Sequence, residues 1–379
     1  MNNIKSVIPV AKLLPALHGL RGLAAVTVVM FHLHHLESLA LPSALKFIGT
    51  HFGLGVRLFF VLSAFSLCYS TLPTICKPDW VRDYFIKRFF RVAPLFYVML
   101  LIWQTFYYVK GVELKINDVF INILFGFNFV PGKHESMVAA GWTVGVEMIF
   151  YVIFPTIMLM VGRLRHAIYL FFTGVAISYL GHVSLKSGGE VLNNYASSAF
   201  ISCAGVFFSG ILAFWYFKFF EIKFNLPTGE QKRSKLHQIY FLFFCCVTFF
   251  IILSRFSLFL SMNARADMFL WAAFFSIIVV WQALYPSPVL ASRFMEFLGE
   301  RSYSIYLVHP FVIYWLKPFN QALNTQATAA IGSWAFLVNA FFTLLVVVSC
   351  AMLSYKLIEV SGINFGKRLI LRLRKMETV

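Results

Sequence analysis

Long apolar stretches recur from one end of the chain to the other, and they restrict its fold more than any other feature of the sequence. Each is close to the length of about 20 residues that crosses a hydrocarbon layer as a helix. Hydrophobic residues make up 60% of the chain and charged residues only 12%, which is about half the charged fraction of a soluble domain. We expect an all-α, polytopic membrane protein with about ten spans, near residues 13 to 35, 52 to 72, 91 to 109, 141 to 161, 166 to 183, 199 to 217, 238 to 254, 267 to 285, 302 to 316 and 331 to 355.

One further apolar segment, residues 119 to 130, is too short to cross a membrane and contains Asn122, Gly126 and Asn128. A short re-entrant or interfacial element is predicted there. Neither an internal repeat nor a stretch typical of a soluble catalytic domain is evident, so residues 1 to 379 are interpreted as a single membrane domain. The end of this domain, residues 361 to 379, has the pattern of a basic amphipathic tail.

The net charge of +17 has a simple explanation in a membrane protein. If the N-terminus is cytoplasmic, most lysines and arginines between the spans fall on the inner side, as the positive-inside rule requires. An even number of spans then places both termini in the cytoplasm, where basic residues face anionic lipid. This distribution predicts membrane lipid rather than nucleic acid as the partner of the basic residues.

The six cysteines lie in or beside the predicted spans, without CxxC or Cys/His spacing. Neither a metal site nor a disulfide framework is predicted from such a pattern.

Two polar residues in the first span, LHGLRGLAAVTVVMFHLHH, attract attention because polar side chains are unfavourable in a membrane unless they have a function. Arg21 and His32 are eleven residues apart. In a helix this separation turns through about 1100°, so both side chains project from nearly the same face, roughly 16 Å apart along the axis. One group would then lie near a membrane surface and the other near the middle of the bilayer.

The third span begins with FIKRFFRVAPLFYV, in which Arg88 and Arg91 share one helix face. Two guanidinium groups at the inner boundary can bind phosphate through paired hydrogen bonds. Positive-inside anchoring explains the same pattern. Because Arg21 lies on the same side of the membrane, we favour a site for an anionic ligand.

The fourth span begins with GWTVGVEMIFYVIFP and carries Glu147 within the apolar region. A carboxylate there needs a partner, and Arg57 of the second span is one candidate. The alternative is a proton acceptor, or a group that binds the hydroxyl of a substrate. Trp142 fits either an interfacial aromatic belt or a surface on which a sugar ring stacks.

The ninth span, LGERSYSIYLVHPFVIYWL, carries Tyr306 and His309 on adjacent turns of one face. His309 is predicted at about the depth of His32. A single histidine in a membrane is usually a packing residue, but two at similar depth on different helices indicate a shared polar cavity.

These segments resemble, in order and spacing, the motifs of the acyltransferase-3 family, best known as bacterial O-acetyltransferases of O-antigen, exopolysaccharide and peptidoglycan. The resemblance implies that Arg21 and His32 are the family's Arg and His pair, with His32 as catalytic base. It also implies that Arg88 and Arg91 serve the acyl donor. Trp142 and Glu147 match the family's Trp and Glu motif, whereas Arg57 stands where an acidic residue is common and Ser63-Ala64-Phe65 replaces Ser-Gly-Phe.

The resulting expectation is an O-acyltransferase of the bacterial inner membrane. It would move an acyl group, expected to be acetyl, from cytoplasmic acetyl-CoA to a hydroxyl of a cell-surface or lipid-linked glycan such as O-antigen or exopolysaccharide. His32 would be the base, or would carry the acyl group itself, and the other predicted site residues are Glu147 (catalytic), Arg21, Arg88 and Arg91 (donor-binding), and Trp142, Tyr306 and His309 (acceptor-binding). The alternative is a transporter of a glycan or acylated solute in which His32, Glu147 and His309 relay protons.

Overall fold

The computed structural model describes residues 14–223 and 264–377. Within these ranges the chain forms helices and turns and no strand. The helices are α1 (Pro15–Glu37), α2 (Phe47–His51), α3 (Gly55–Thr71), α4 (Trp80–Val109), α5 (Ile116–Ile123), α6 (Trp142–Met160), α7 (Leu164–Lys186), α8 (Glu190–Ala196), α9 (Phe200–Lys223), α10 (Ala264–Leu284), α11 (Arg293–Glu300), α12 (Ser302–Ile331), α13 (Ala335–Ser354) and α14 (Val360–Glu377).

The expected fold class, an all-α membrane protein, is confirmed. In the described ranges, six helical stretches are long and apolar enough to cross a membrane: Pro15–Glu37, Ser43–Thr74, Trp142–Met160, Leu164–Lys186, Glu190–Lys223 and Ser302–Glu377. The predicted number of ten is therefore not confirmed, and the span predicted at residues 238 to 254 lies outside the described residues. The segment at residues 119 to 130 forms the end of the short helix α5 and a 3₁₀ turn, Gly126–Phe129.

Helix α4 contains the third predicted span and extends well beyond it at its N-terminal end. The added turns carry the charged residues Arg82, Asp83, Lys87 and Arg88. This 30-residue helix is not among the six apolar stretches, although its C-terminal part is apolar.

Helix α1 is buried between α3, α11 and α12. Two glycines allow its close contact with the chain around α11. A Cβ atom on Gly299 would lie 1.8 Å from the carbonyl oxygen of His18, and one on Gly19 would lie 2.0 Å from the carbonyl oxygen of Leu290. No larger residue fits at either position, so these glycines fix how α1 lies beside the start of α12.

Aromatic stacking joins α3, α6 and α9. The Phe207 ring lies between Phe60 and Phe150, with centroid distances of 4.4 and 4.3 Å. Helix α9 approaches α3 closely at Gly210, where a Cβ atom would lie 2.3 Å from the carbonyl oxygen of Val61. This packing fixes α3 against α6 and so determines which of their polar side chains meet.

The predicted basic tail is helical and is packed on α4. Between α13 and α14 the helix widens into a π-turn, Tyr355–Glu359. Helix α14 then follows α4, with ion pairs between Arg374 and Asp83 and between Arg82 and Glu377. Helix α14 thereby contacts the arginine-bearing end of α4.

Candidate active site

The two predicted membrane histidines are in direct contact. His32 on α1 and His309 on α12 lie with Nδ1 and Nε2, respectively, 3.1 Å apart, and their ring centroids are 4.9 Å apart. The His309 side chain is fully buried, whereas His32 is partly accessible. The expectation that residues from the first and ninth spans share one polar site therefore agrees with this geometry.

Backbone carbonyls determine which nitrogen of each ring carries a proton. His309 Nδ1 lies 2.6 Å from the carbonyl oxygen of Tyr306, which can only accept a hydrogen bond. The Nε2 atom of neutral His309 is therefore an acceptor, and the proton between the two rings belongs to His32 Nδ1. The carbonyl oxygen of Val28, 3.0 Å from His32 Nδ1, also requires a donor there. His32 Nε2 is left with a free lone pair and has no hydrogen bond within the described part of the chain.

Tyr306 lies one turn before His309 and connects it with α6. The Tyr306 hydroxyl donates to the carbonyl oxygen of Ala140 at 3.2 Å and accepts from Thr143 Oγ1 at 3.0 Å. The rings of Tyr306 and His309 meet edge to face, with centroids 5.6 Å apart. Tyr306 thus forms a wall between the histidine pair and the space on the side of Arg21.

That space is a cavity of about 40 Å³. Its polar lining includes Arg21, Glu147, Thr143 and Tyr306, while His32 does not contribute to its wall. Arg21 and His32 both face α12, as expected from their spacing on one helix. They lie on different sides of Tyr306.

The carboxylate of Glu147 has partners that the sequence did not suggest. Ser63 of α3 donates to Glu147, and the Tyr151 hydroxyl donates to it at 2.5 Å. The pairing with Arg57 considered above is therefore not observed. Instead, the Arg57 guanidinium lies over the Trp142 ring, 5.9 Å from its centroid.

Arg21 and Arg88 form the cationic side of the site. The Nε atom of each is buried without a hydrogen-bond partner, and neither has an ion pair among residues 14–223 and 264–377. Unpaired guanidinium groups in such an environment are suited to an anionic ligand, because burial without a counter-ion is unfavourable.

Arg91 differs from Arg88, although both are on the same face of α4. Arg91 is paired with Glu359 of the π-turn, with Nη1 and Oε1 3.1 Å apart. The Glu359 side chain is fully buried and also accepts a hydrogen bond from Ser304 at 2.8 Å. Sequence reasoning did not identify Glu359 as a site residue. The sequence offered two signals: an acidic residue four positions after the last predicted span, and the resemblance of IEVSG to the Ile-Glu pair of the acyltransferase-3 family.

Chemically, the site combines a histidine nitrogen that can accept a proton with a group of cations on the side of Arg21. The first feature fits deprotonation of a hydroxyl group, and the second fits recognition of phosphate. Trp142 lies beside Arg57 at the start of α6, next to the cavity-lining residue Thr143.

Comparisons with known proteins agree with this chemistry. The family model described as an acyltransferase domain, acyltransferase-3, matches residues 14–356. The peptidoglycan O-acetyltransferase OatA of Listeria monocytogenes is 23% identical over 338 residues, covering 79% of this chain and 49% of OatA. YrhL of Bacillus subtilis, provisionally named a peptidoglycan O-acetyltransferase, is 24% identical over 371 residues, covering 91% of this chain and 54% of YrhL.

The chain spans about half the length of the curated relatives it matches. No solved structure matches it. Because the family model covers most of the sequence, including every residue of the site except Glu359, the chain belongs to the acyltransferase-3 family.

Proposed function

We propose that this protein is a membrane O-acetyltransferase that moves an acetyl group from cytoplasmic acetyl-CoA to a hydroxyl of a cell-surface or lipid-linked glycan. The observation that carries the proposal is the hydrogen-bonded pair of His32 and His309, which leaves His32 Nε2 free as a base. A proton-relay transporter needs no such fixed tautomer, and the family match also favours the enzyme.

In the proposed reaction, His32 Nε2 takes the proton of the acceptor hydroxyl while the hydroxyl oxygen forms a bond to the acyl carbon. The carbon–sulfur bond of the thioester breaks, and the thiolate of coenzyme A leaves and takes up a proton. His309 accepts the hydrogen bond from His32 Nδ1 throughout and disperses the positive charge that develops on His32. His309 is thus a positioning residue, since it acts through His32.

The donor end of the site is proposed at Arg21 and Arg88. Their guanidinium groups, which have no ion pair among the described residues, fit the phosphates of the donor. The proposal therefore puts these phosphates at the inner side of the membrane. The roughly 16 Å between Arg21 and His32 along α1 is comparable with the length of an extended pantetheine arm. Arg91 adds a positive charge to the donor end of the site, but the carboxylate of Glu359 neutralises this charge.

The proposed path for the donor crosses the cavity that Arg21 and Glu147 line. A volume of about 40 Å³ holds only a few water molecules. Binding of a thioester arm therefore requires side chains such as Phe59, Phe60 or Tyr306 to move. Glu147 is proposed to act in this cavity, where its hydrogen bonds from Ser63 and Tyr151 hold it in place beside Arg21.

Support for a glycan acceptor comes from the relatives, since OatA is named as a peptidoglycan O-acetyltransferase. The concentration of basic residues between the predicted spans on the side of the N-terminus supports cytoplasmic termini and a bacterial inner membrane. A glycan of the cell envelope is then reached from the outer side.

The test is transfer of label from radioactive acetyl-CoA to envelope glycans, using the full chain in proteoliposomes. We expect His32→Ala to reduce transfer by a factor of about 10² to 10⁴, because a general base is lost. His35→Ala is the matched control, since His35 is on the same helix, is exposed and bonds to the carbonyl oxygen of Gly49. Undiminished transfer by the His32 variant would refute the proposal.

A further inference from the structure

Arg57 is the third residue of α3 and has an environment that the proposed reaction does not use. Among the residues described in the structure, its polar contact is a weak one, from Nη1 to the Sγ atom of Cys203 at 3.6 Å. No carboxylate of the described chain forms an ion pair with Arg57. A thiol sulfur is a poor acceptor, so most of the N–H groups of the guanidinium are available.

The position of Arg57 differs from that of an arginine that extends into water. Its guanidinium carbon lies over the Trp142 ring, 5.9 Å from the centroid, in the range of a cation–π contact. The Trp142 ring in turn meets the edge of Phe60, with centroids 6.4 Å apart. The described part of the protein thus holds a half-buried cation, without a carboxylate partner in these residues, against an aromatic surface.

This cation lies beside the cavity that Arg21 and Glu147 line. Val56, which precedes Arg57 on α3, and Phe59, two residues after it, line the cavity, as does Thr143, which follows Trp142 on α6. A molecule bound at Arg57 and Trp142 would therefore lie beside the cavity that the proposed donor path crosses, with Tyr306 between this cavity and the histidine pair.

Resting on the proposed function, we infer that Arg57 and Trp142 bind an anionic group of the acceptor and that this protein acetylates an acidic glycan. The guanidinium fork binds an oxyanion through paired hydrogen bonds, and the indole ring offers an apolar surface for the attached sugar. Two sources supply such an oxyanion: the carboxylate of an acidic sugar, or the phosphate that joins a glycan to its lipid carrier.

The experiment compares three acceptors with labelled acetyl-CoA in proteoliposomes: a neutral hexose oligosaccharide, a uronic acid oligosaccharide, and a neutral oligosaccharide on a polyprenyl diphosphate. We expect one of the two anionic acceptors to be preferred, and which one is preferred identifies the source of the charge. Arg57→Gln should lower the preference, expressed as the ratio of kcat/KM values for the anionic and neutral acceptors, by about tenfold or more. Arg57→Lys should retain part of this preference, because it keeps the charge but loses the fork.

Lys186→Gln controls for the loss of one positive charge, because Lys186 is exposed at the end of α7. Equal losses for neutral and anionic acceptors in Arg57→Gln would overturn the inference, and so would a wild-type protein without preference. Binding of the same three glycans, measured without acetyl-CoA, separates this result from a failure of the proposed function. If no glycan is acetylated, the proposed function fails. The inference then stands only if an anionic glycan binds more tightly than the neutral one and loses this advantage in Arg57→Gln. Without that result the inference fails as well.

Discussion

The two ends of the candidate site hold their polar groups in different ways. At the histidine end, backbone carbonyls and a second ring orient His32, and no charged side chain forms a hydrogen bond to the pair within the described residues. At the arginine end, guanidinium groups outnumber the carboxylates that pair with them. The first arrangement fixes a proton position, whereas the second leaves charge available for a ligand.

The same contrast exists within the arginine end. Arg88 and Arg91 are one helical turn apart on α4, but of the two only Arg91 forms an ion pair with Glu359. Replacing Arg91 should therefore mainly reduce the stability of the fold. Replacing Arg88 should mainly weaken binding of the acyl donor.

The largest effect is expected for Arg91→Ala. Glu359 would remain fully buried without its ionic partner, which typically costs about 3–5 kcal/mol. Unfolding of the purified protein in detergent micelles, followed by heat or denaturant, measures this loss. The double variant Arg91→Ala, Glu359→Gln should recover most of the stability, because the uncompensated charge is gone. Equal stability of the single variant and the wild type would show that the pair is not structural.

His309→Leu should lower kcat by about 100-fold, because His32 loses the ring that accepts from Nδ1 and disperses the positive charge that develops on His32, and only the carbonyl oxygen of Val28 remains as an acceptor. His309→Gln is the matched variant, since its side-chain carbonyl can accept the same hydrogen bond. We expect the Gln variant to retain much more activity than the Leu variant in a label-transfer assay. Similar losses in both would indicate that His309 matters for packing and not for the orientation of His32.

Arg88→Ala should raise the KM for acetyl-CoA by about tenfold, as expected for loss of hydrogen bonds to a charged ligand, with a smaller change in kcat. Arg88→Lys should lie between this variant and the wild type, since it preserves charge without the planar fork. Steady-state kinetics at varied acetyl-CoA concentration measures both. An unchanged KM would place the donor phosphates elsewhere.

The smallest effect is expected for Glu377→Gln, which breaks the exposed ion pair with Arg82 at the end of α14. Exposed pairs contribute little to stability, so neither the unfolding transition nor the KM for acetyl-CoA should change measurably. A clear change in KM would mean that α14 controls the donor end through α4.

Much of the histidine end was predictable from the sequence. The regular period of an α-helix is enough to place Arg21 and His32 on one face of the helix from Pro15 to Glu37. A polar cavity shared by His32 and His309 was predicted by comparing the depths of two spans, but the direct contact of their rings was not. Such predictions succeed because they depend on spacing along single helices.

The partners of the charged groups were not predictable in the same way. Ser63 and Tyr151, not Arg57, bind Glu147, because the packing of α3 against α6 decides which side chains meet. Glu359 lies in the π-turn after α13, beyond the last predicted span, and its partner Arg91 is on α4, so their pairing also depends on how two helices pack. Contacts between helices depend on rotation and offset, and neither is encoded in the period of one helix.

Nitrogen-15 NMR of histidine-labelled protein in lipid bilayers tests the central claim most directly, since it reads the protonation of each ring nitrogen. Signals are assigned by their loss in His32→Ala and His309→Ala. The account predicts that in the resting protein His32 is neutral, with its proton on Nδ1, a bare Nε2, and a coupling across the hydrogen bond to His309. A His32 ring protonated at Nε2 would contradict it, because that nitrogen could not then accept the proton of the acceptor hydroxyl.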